Sequence, residues 1–135
     1  MKKNAITLLL LSVYIISCKN EAYKKAEDAE DAGREFIRAS LDGNYDKALF
    51  FLLKDSTNTN VMLLDRWKRD YSKLKEEDKV NYKDASIIAI RIKPLNDSTV
   101  EYVYTNTYKI KDTTTIKVLK NNGDWLVDLK ETFIK

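Results

Sequence analysis

The second half of the sequence alternates between apolar and polar residues, and this alternation limits the fold more than any other feature. It occupies four stretches, which run from Ala85 to Lys93, Thr99 to Ile110, Thr113 to Lys120 and Asp124 to Lys130. A period of two is typical of β-strands, because successive side chains point to opposite faces of a sheet. The pattern predicts four strands in an antiparallel meander.

Turn sequences separate these strands. Pro94-Leu95-Asn96-Asp97 is predicted as a turn, and Asn122-Gly123 is the strongest hairpin signal in the chain, since both residue types tolerate a positive φ. Alternation also predicts the apolar face of each strand. The inward residues would be Ile88, Ile90 and Ile92 on the first strand, Val100, Tyr102, Tyr104, Tyr108 and Ile110 on the second, Ile116 and Val118 on the third, and Trp125, Val127 and Leu129 on the fourth.

The first half carries the 3–4 apolar spacing of helices. It predicts helices over Ala22 to Leu41, Tyr45 to Leu53, and Thr59 or Asn60 to Asp78. Gly43 is expected to end the first helix in a left-handed conformation. Three helices followed by four strands predict an α+β domain in which the helices cover the apolar face of the sheet.

The N-terminus has the pattern of a lipoprotein signal. Lys2 and Lys3 precede an uncharged apolar run of twelve residues, Ala5 to Ile16, whose helical length of about 18 Å is short for a bilayer core of about 30 Å. Ile15-Ile16-Ser17-Cys18 resembles a lipobox. The pattern predicts a signal peptide at 1–17, a lipidated Cys18 with a short tether at 18–25, and one domain at 26–135.

Lipidation of Cys18 would fix the protein to the cell envelope, since two or more acyl chains anchor firmly. Lys19 follows the cysteine, where Asp is typical of retention at the inner membrane, so the outer membrane is the expected location. A single acid, Glu21, leaves the periplasmic and surface leaflets equally open.

Composition excludes several kinds of site. The chain has no histidine, which rules out Ser-His-Asp and Cys-His catalysis and every His-ligated metal site. Cys18 is the only cysteine, and the three glycines are too far apart for a phosphate-binding loop. Loss of Lys2 and Lys3 with the signal would lower the net charge from +3 to +1, and the interspersed charges do not resemble a nucleic-acid surface. We therefore expect no metal, no cofactor and no nucleic-acid partner.

Two segments carry a family resemblance. The stretch from Phe36 to Ala48, which contains Asp42-Gly43-Asn44-Tyr45, is similar to the first helix and turn of the nuclear-transport-factor-2-like superfamily. The stretch from Thr114 to Leu129, which contains Gly123-Asp124-Trp125, resembles its last hairpin. Within that superfamily the chain most resembles the lumazine-binding-like lipoproteins of unknown function that are common in Bacteroidota, over about Ala26 to Glu131.

The resemblance implies a cone, in which a curved four-stranded antiparallel meander wraps around the three N-terminal helices and leaves a pocket at its wide end. Such proteins use the pocket for isomerase or dehydratase chemistry, for ligand binding, or not at all, and they often dimerise through the sheet. Catalytic members rely on buried Asp, Tyr or His, whereas this chain has no His and no Asp of it aligns with a catalytic position. The resemblance therefore carries over no catalytic residue and leaves a homodimer open.

Aromatic residues are the candidates for a pocket lining, because a tyrosine offers both an apolar ring and a hydroxyl to an amphipathic ligand. They are Phe36, Trp67, Tyr71, Tyr102, Tyr104 and Trp125, with Tyr108 beside them. The alternative is that these rings are packed in the core. Glu101 and Asp128 could form an acid–base pair, although their strand parity places them opposite the aromatic faces.

Three functions fit these features. The first is an envelope lipoprotein whose non-catalytic domain binds a small amphipathic ligand or a protein partner. The second is an assembly lipoprotein that docks a protein on its sheet face. The third is a lipid-tethered isomerase-like or hydrolase-like enzyme that uses carboxylate and tyrosine chemistry, which would require an acid buried near a tyrosine.

Overall fold

The computed structural model describes residues 22–134 of the chain, with side chains up to Thr132. The predicted signal at 1–17, the lipobox and Cys18 lie outside the described residues. Within residues 22–134, no helix is long and apolar enough to cross a membrane.

Four helices precede four strands. The helices are α1 (Ala29–Leu41), α2 (Tyr45–Phe50), α3 (Thr59–Ser72) and α4 (Glu76–Asp84). The strands are β1 (Ile87–Asn96), β2 (Thr99–Asn106), β3 (Thr114–Asn121) and β4 (Asp124–Ile134). All strands pair antiparallel with their sequence neighbours in the order β1-β2-β3-β4, which confirms the predicted α+β meander.

The sheet has two distinguishable ends. At the hairpin end, Asn122 and Gly123 join β3 to β4 with φ of 49° and 84°, as the Asn-Gly signal predicted. At the loop end, residues 107–113 connect β2 to β3, and α4 leads into β1. Helix α1 runs between the two ends, because Gly33 lies against Tyr102 in mid-sheet while Arg38 reaches the residues just before β1.

The predicted count of three helices is wrong, because the third one divides. Helix α3 ends at Ser72, and Lys75 takes an extended conformation (φ −65°, ψ 152°) before α4 begins. Glu76, Glu77 and Asp78 then fill the first turn of α4, where acidic side chains favour the positive end of the helix dipole. No glycine or proline marks this break.

The predicted start of the first helix at Ala22 is also wrong. Helix α1 begins at Ala29, because the Asp28 side chain accepts the backbone N–H of Asp31 at 2.7 Å as an N-cap. The Asp31 side chain in turn accepts the N–H of Glu27 at 3.0 Å. Residues 22–28 therefore approach the domain as extended or bent chain.

A bulge changes the face assignment of β1. The pairing with β2 shifts between Ala89 and Arg91, so Ile87 and Ile92 pack on the core while Ile90 is 54% exposed. The prediction that Ile88, Ile90 and Ile92 share a face is wrong for this reason. Strand β1 also continues through Pro94 to Asn96, which an edge strand tolerates.

Strand β2 ends earlier than predicted, at Asn106 instead of Ile110. The Asn106 side chain accepts the backbone N–H groups of Tyr108 and Lys109 at 3.0 and 2.9 Å, which turns the chain out of the sheet. Tyr108 therefore lies in the loop and not on the inner strand face.

The free edge of β4 is covered by the segment after α2. That helix ends at Phe50, three residues before its predicted end, and Leu53 and Phe51 exchange backbone hydrogen bonds with Val127, both 2.8 Å long. Nearby, the fully buried Asn60 donates to the Leu53 carbonyl at 3.0 Å and accepts the N–H of Leu129 at 2.8 Å. One amide thus joins α3 to this edge of the sheet.

The core lies between α1 and the inner face of the sheet. Its side chains come from α1, from the Phe51-Leu52 segment and from β2 to β4. The buried set includes Ala32, Phe36, Ile37, Leu52, Tyr102, Ile116, Val118 and Val127. Burial of this apolar surface is the main favourable contribution to folding.

Candidate functional site

A cavity of about 590 Å³ lies between the helices and the inner face of the sheet at its loop end. It lies beyond the middle of the sheet, where Gly33 of α1 packs directly against Tyr102. Its lining residues are Ile37, Ser40 and Leu41 of α1, Tyr45 of α2, Leu63, Arg66, Trp67, Asp70 and Tyr71 of α3, Leu74, Tyr82 of α4, Tyr104 and Asn106 of β2, Lys109 and Asp112 of the loop, Thr114 of β3, and Leu129, Lys130 and Thr132 of β4.

The sheet side of the cavity is built around Tyr104. Its side chain is buried, and burial raises the pKa of the phenol above its ordinary value, although a hydrogen bond with Thr114 opposes the shift. The phenol is therefore neutral at all physiological pH values. It offers an uncharged hydroxyl beside apolar neighbours such as Ile37 and Leu129.

The helix side of the cavity is an aromatic wall. The Tyr45 hydroxyl donates to the Trp67 carbonyl at 3.3 Å, and the Tyr45 ring packs edge-on against Tyr71 with centroids 5.9 Å apart. Trp67 packs against Phe36, also at 5.9 Å. Burial raises the pKa of Tyr45, so this phenol is neutral as well. These contacts fix the rings in place before any ligand binds.

The mouth of the cavity is polar. Arg66, Asp70, Lys109, Asp112 and Lys130 combine both signs of charge, and all five are exposed residues. Of the cations, Lys130 lies 3.9 Å from carboxylate oxygens of both Asp55 and Asp128. The mouth is thus hydrated while the interior is largely apolar.

One side of the mouth is held by tyrosine contacts between α4 and the loop. The rings of Tyr82 and Tyr108 pack edge-on with centroids 4.9 Å apart, and the Tyr108 hydroxyl donates to Asp78 at 2.6 Å. Tyr82 lines the cavity, whereas Tyr108 supports it from outside.

The structure separates the aromatic residues singled out by sequence into two groups. Trp67, Tyr71 and Tyr104 line the cavity. Phe36, Tyr102 and Trp125 do not: Phe36 is buried beneath Trp67, Tyr102 packs under α1 at Gly33, and Trp125 lies at the hairpin end below the Lys120 ammonium. Tyr102 and Tyr104 are both buried on the same strand face, but Gly33 of α1 lies directly against the Tyr102 ring.

Sequence reasoning did not single out Tyr45, Leu63 or Tyr82. Leu63 was recognisable as part of the apolar stripe of α3, but nothing in that stripe distinguishes cavity from core. Tyr82 had no signal, because α4 itself was not predicted.

The lining offers few groups for chemistry. Its carboxylates, Asp70 and Asp112, are both exposed, and no group of three His, Cys, Asp or Glu side chains that could hold a metal occurs in residues 22–132. Glu101 pairs with Arg91 at 2.7 Å, and neither Glu101 nor Asp128 belongs to the lining. The arrangement suits an apolar or amphipathic molecule held by aromatic contacts and a few hydrogen bonds.

Comparisons with known proteins identify the fold. No protein-family model and no curated protein matches the sequence. Among solved structures, the chain is similar to an NTF-2-like protein of unknown function from Shewanella oneidensis MR-1, solved at 1.70 Å resolution. The TM-score is 0.50 at 14% identity, over 71% of this chain and 88% of that one. The four-stranded sheet with its helices therefore has an NTF-2-like fold.

Proposed function

We propose that this protein is an envelope lipoprotein, anchored through Cys18, whose NTF-2-like domain binds a small amphipathic molecule without transforming it. The anchor rests on the lipobox-like sequence Ile15-Ile16-Ser17-Cys18. The outer-membrane location rests on Lys19 after the cysteine, and the likeness to Bacteroidota-type lipoproteins rests on the family resemblance of the sequence.

The observation that carries the binding proposal is the cavity itself. Its volume of about 590 Å³ falls within the roughly 300–1,000 Å³ of small-molecule sites. The walls are aromatic and pre-formed, and the interior hydroxyls of Tyr45 and Tyr104 are neutral. An apolar body with one or two hydrogen-bonding groups would match these surroundings.

The position of the carboxylates favours binding over catalysis. General acid–base chemistry at neutral pH needs a carboxyl with a raised pKa, which burial next to an apolar surface supplies. Asp70 and Asp112 are instead exposed at the mouth. The neutral tyrosines alone are weak acids and weak bases.

Native mass spectrometry tests the proposal. The full chain would be purified gently from the membranes of its own host, and its mass would be measured with and without denaturation. We expect a mass increment of the acyl chains that survives denaturation, and a second increment of a small molecule that does not. A chain without the first increment refutes the anchor, and one without the second refutes tight binding of a small molecule.

A matched pair of variants locates the small molecule. Leu63→Trp adds a large side chain inside the cavity, whereas Met62→Trp adds the same side chain on the outer face of α3, where Met62 is 65% exposed. We expect the non-covalent increment to be lost in the first variant and kept in the second. Equal retention in both would place the small molecule outside this cavity and refute the proposed site.

A further inference from the structure

We infer that the hairpin end of the domain rests on the bilayer and that the cavity opens away from it, so that the ligand enters from the aqueous phase. This inference rests on the proposed anchor at Cys18. It identifies the ligand as a water-soluble amphipathic molecule and not as a lipid taken from the membrane.

The chain just after the proposed anchor is attached to the folded domain. The Tyr23 ring packs on Phe50, with centroids 5.7 Å apart, and the Lys25 ammonium lies 3.1 Å from the Asp124 carboxylate. Asp124 begins β4 directly after the hairpin turn. The segment that the sequence predicted as a tether is therefore held against the hairpin end from Tyr23 onward.

The chain between Cys18 and Tyr23 is short. Four residues lie between Cys18 and Tyr23, which makes five steps along the chain, and fully extended chain covers about 3.3–3.6 Å per step, or about 17 Å here. Because the acyl chains insert at Cys18, Tyr23 cannot lie further than about this distance from the bilayer surface, and the hairpin end follows two residues along the chain, where Lys25 contacts Asp124.

The cavity lies on the side of the domain away from the hairpin end. The strand residues in its lining lie at the loop end or in mid-strand, and none lies at the hairpin end: Tyr104 and Asn106 close β2, Thr114 opens β3, and β4 contributes Leu129 and Lys130 from its middle and Thr132 from near its end. The α1 residues in the lining begin at Ile37, beyond the middle of that helix. Seven strand intervals from Thr114 to Asn121 amount to about 23 Å at about 3.3 Å each, which separates the mouth from the hairpin end.

Charge determines how the hairpin end meets the membrane. Lys24, Lys25 and Lys120 are exposed there, and Lys24 and Lys25 pair with Glu27 and Asp124. Paired charges stay hydrated and do not enter the hydrocarbon core. The surface is therefore held beside the headgroups by the short tether and not by a one-signed patch.

Quenching of a probe by the membrane surface tests this orientation. The thiol of Cys18 would be acylated, so one added cysteine gives a single labelling site. Asn121→Cys marks the hairpin end and Lys111→Cys marks the loop end, both at exposed positions. The lipidated full-length variants would be labelled with nitrobenzoxadiazole and reconstituted into phosphatidylethanolamine–phosphatidylglycerol vesicles that carry a nitroxide on the headgroup.

We expect strong quenching at position 121 and none above the solution background at position 111. Equal quenching at both positions, or stronger quenching at 111, would overturn the orientation while leaving cavity binding intact. An unacylated mass for the unlabelled chain would overturn the anchor and the orientation together.

A tether variant supplies the second readout. Insertion of a Gly/Ser linker of about 20 residues after Asn20 gives a flexible chain about 25 Å in mean length. We expect the quenching at position 121 to fall to the level at position 111. Unchanged quenching with the long linker would show that tether length does not hold the hairpin end at the membrane, which would overturn the inference.

Discussion

Gly33 determines how closely α1 approaches the sheet. A Cβ at this position would lie 2.8 Å from Cδ2 of the buried Tyr102 ring, a distance at which one of the two must move. We expect Gly33→Val to lower the free energy of unfolding by about 1–3 kcal/mol, the range for overpacked cores. Urea denaturation followed by circular dichroism would measure the change.

The neighbouring residue provides the control. Arg34 is on the same helix with its side chain 51% exposed, so Arg34→Val should change stability by about 0.5 kcal/mol or less. Because valine is a better helix former than glycine, helix propensity cannot explain a loss of stability in Gly33→Val. A loss no larger than that of Arg34→Val would contradict the close contact with Tyr102.

Asp55 gives the domain a sensitivity to acid. A hydrogen bond from the Thr57 hydroxyl, followed by the backbone N–H of Asn60, lowers the pKa of this carboxyl from 3.8 to about 2. A carboxyl with a lowered pKa in the folded state stabilises that state above its unfolded pKa and loses this contribution as the pH falls. We expect the stability difference between the wild-type chain and Asp55→Asn to shrink from pH 4 to pH 2, as thermal denaturation would show.

Asp65→Asn is the matched change, since Asp65 is exposed on α3. Its difference from the wild-type chain should vary less with pH over the same interval. A difference for Asp55→Asn that stays constant between pH 4 and pH 2 would contradict the assigned role of the carboxylate.

At the level of elements, one side chain of α1 holds the C-terminal end of α4, in addition to the tyrosine contacts between α4 and the loop. The Arg38 guanidinium donates to the carbonyls of Ala85, Lys83 and Tyr82 at 2.7, 3.1 and 3.2 Å. These carbonyls lie at the C-terminal end of α4, where a cation also favours the helix dipole. We expect Arg38→Gln to accelerate amide hydrogen exchange in α4 by about tenfold, which corresponds to about 1.4 kcal/mol.

Arg69→Gln serves as the comparison, because Arg69 is exposed on α3. It should leave the exchange of α4 unchanged. If Arg38→Gln accelerated exchange throughout the domain, the arginine would support global stability and not the attachment of α4.

The elements that sequence predicted well are those with local signals. Gly43 has the expected positive φ of 71° after α1, and the Asn-Gly turn lies where its sequence indicated. The bulge beside Ile90 and the pairing of Leu53 with Val127 were not predictable, because both depend on partners far away in the sequence. Predicting strand faces from the alternation of apolar and polar residues assumes that the backbone pairing between strands is unbroken. A bulge moves every later side chain to the opposite face.

For the whole molecule, the two tryptophans report on opposite sides of one core. Trp67 is on α3 and Trp125 is on β4, at opposite ends of the domain. We expect each single-tryptophan variant, Trp67→Phe or Trp125→Phe, to show a fluorescence transition that coincides with its own circular dichroism transition in urea, as in two-state unfolding. An earlier transition at Trp67 would instead identify the helices around the cavity as a separate unfolding unit.

The lining of the cavity also could not be predicted from the sequence, because it depends on how distant elements pack. Trp67, Tyr71 and Tyr104 line it, and Phe36 and Tyr102 are packed in the core, yet all five have the same inward pattern. Tyr102 and Tyr104 are both buried, but Tyr102 packs directly against Gly33 of α1, whereas Tyr104 borders the cavity. Period and parity assign a residue to a face, whereas the gap between layers depends on how those layers pack.

The two ends of the described chain lie at opposite ends of the sheet. Tyr23 lies beside the hairpin, while Ile134 pairs with Thr114 at the rim of the cavity. This has a practical consequence for the biochemist. An affinity tag fused after Lys135 would start at the rim of the cavity and could compete with an entering ligand, so the tag should be removed before binding is measured.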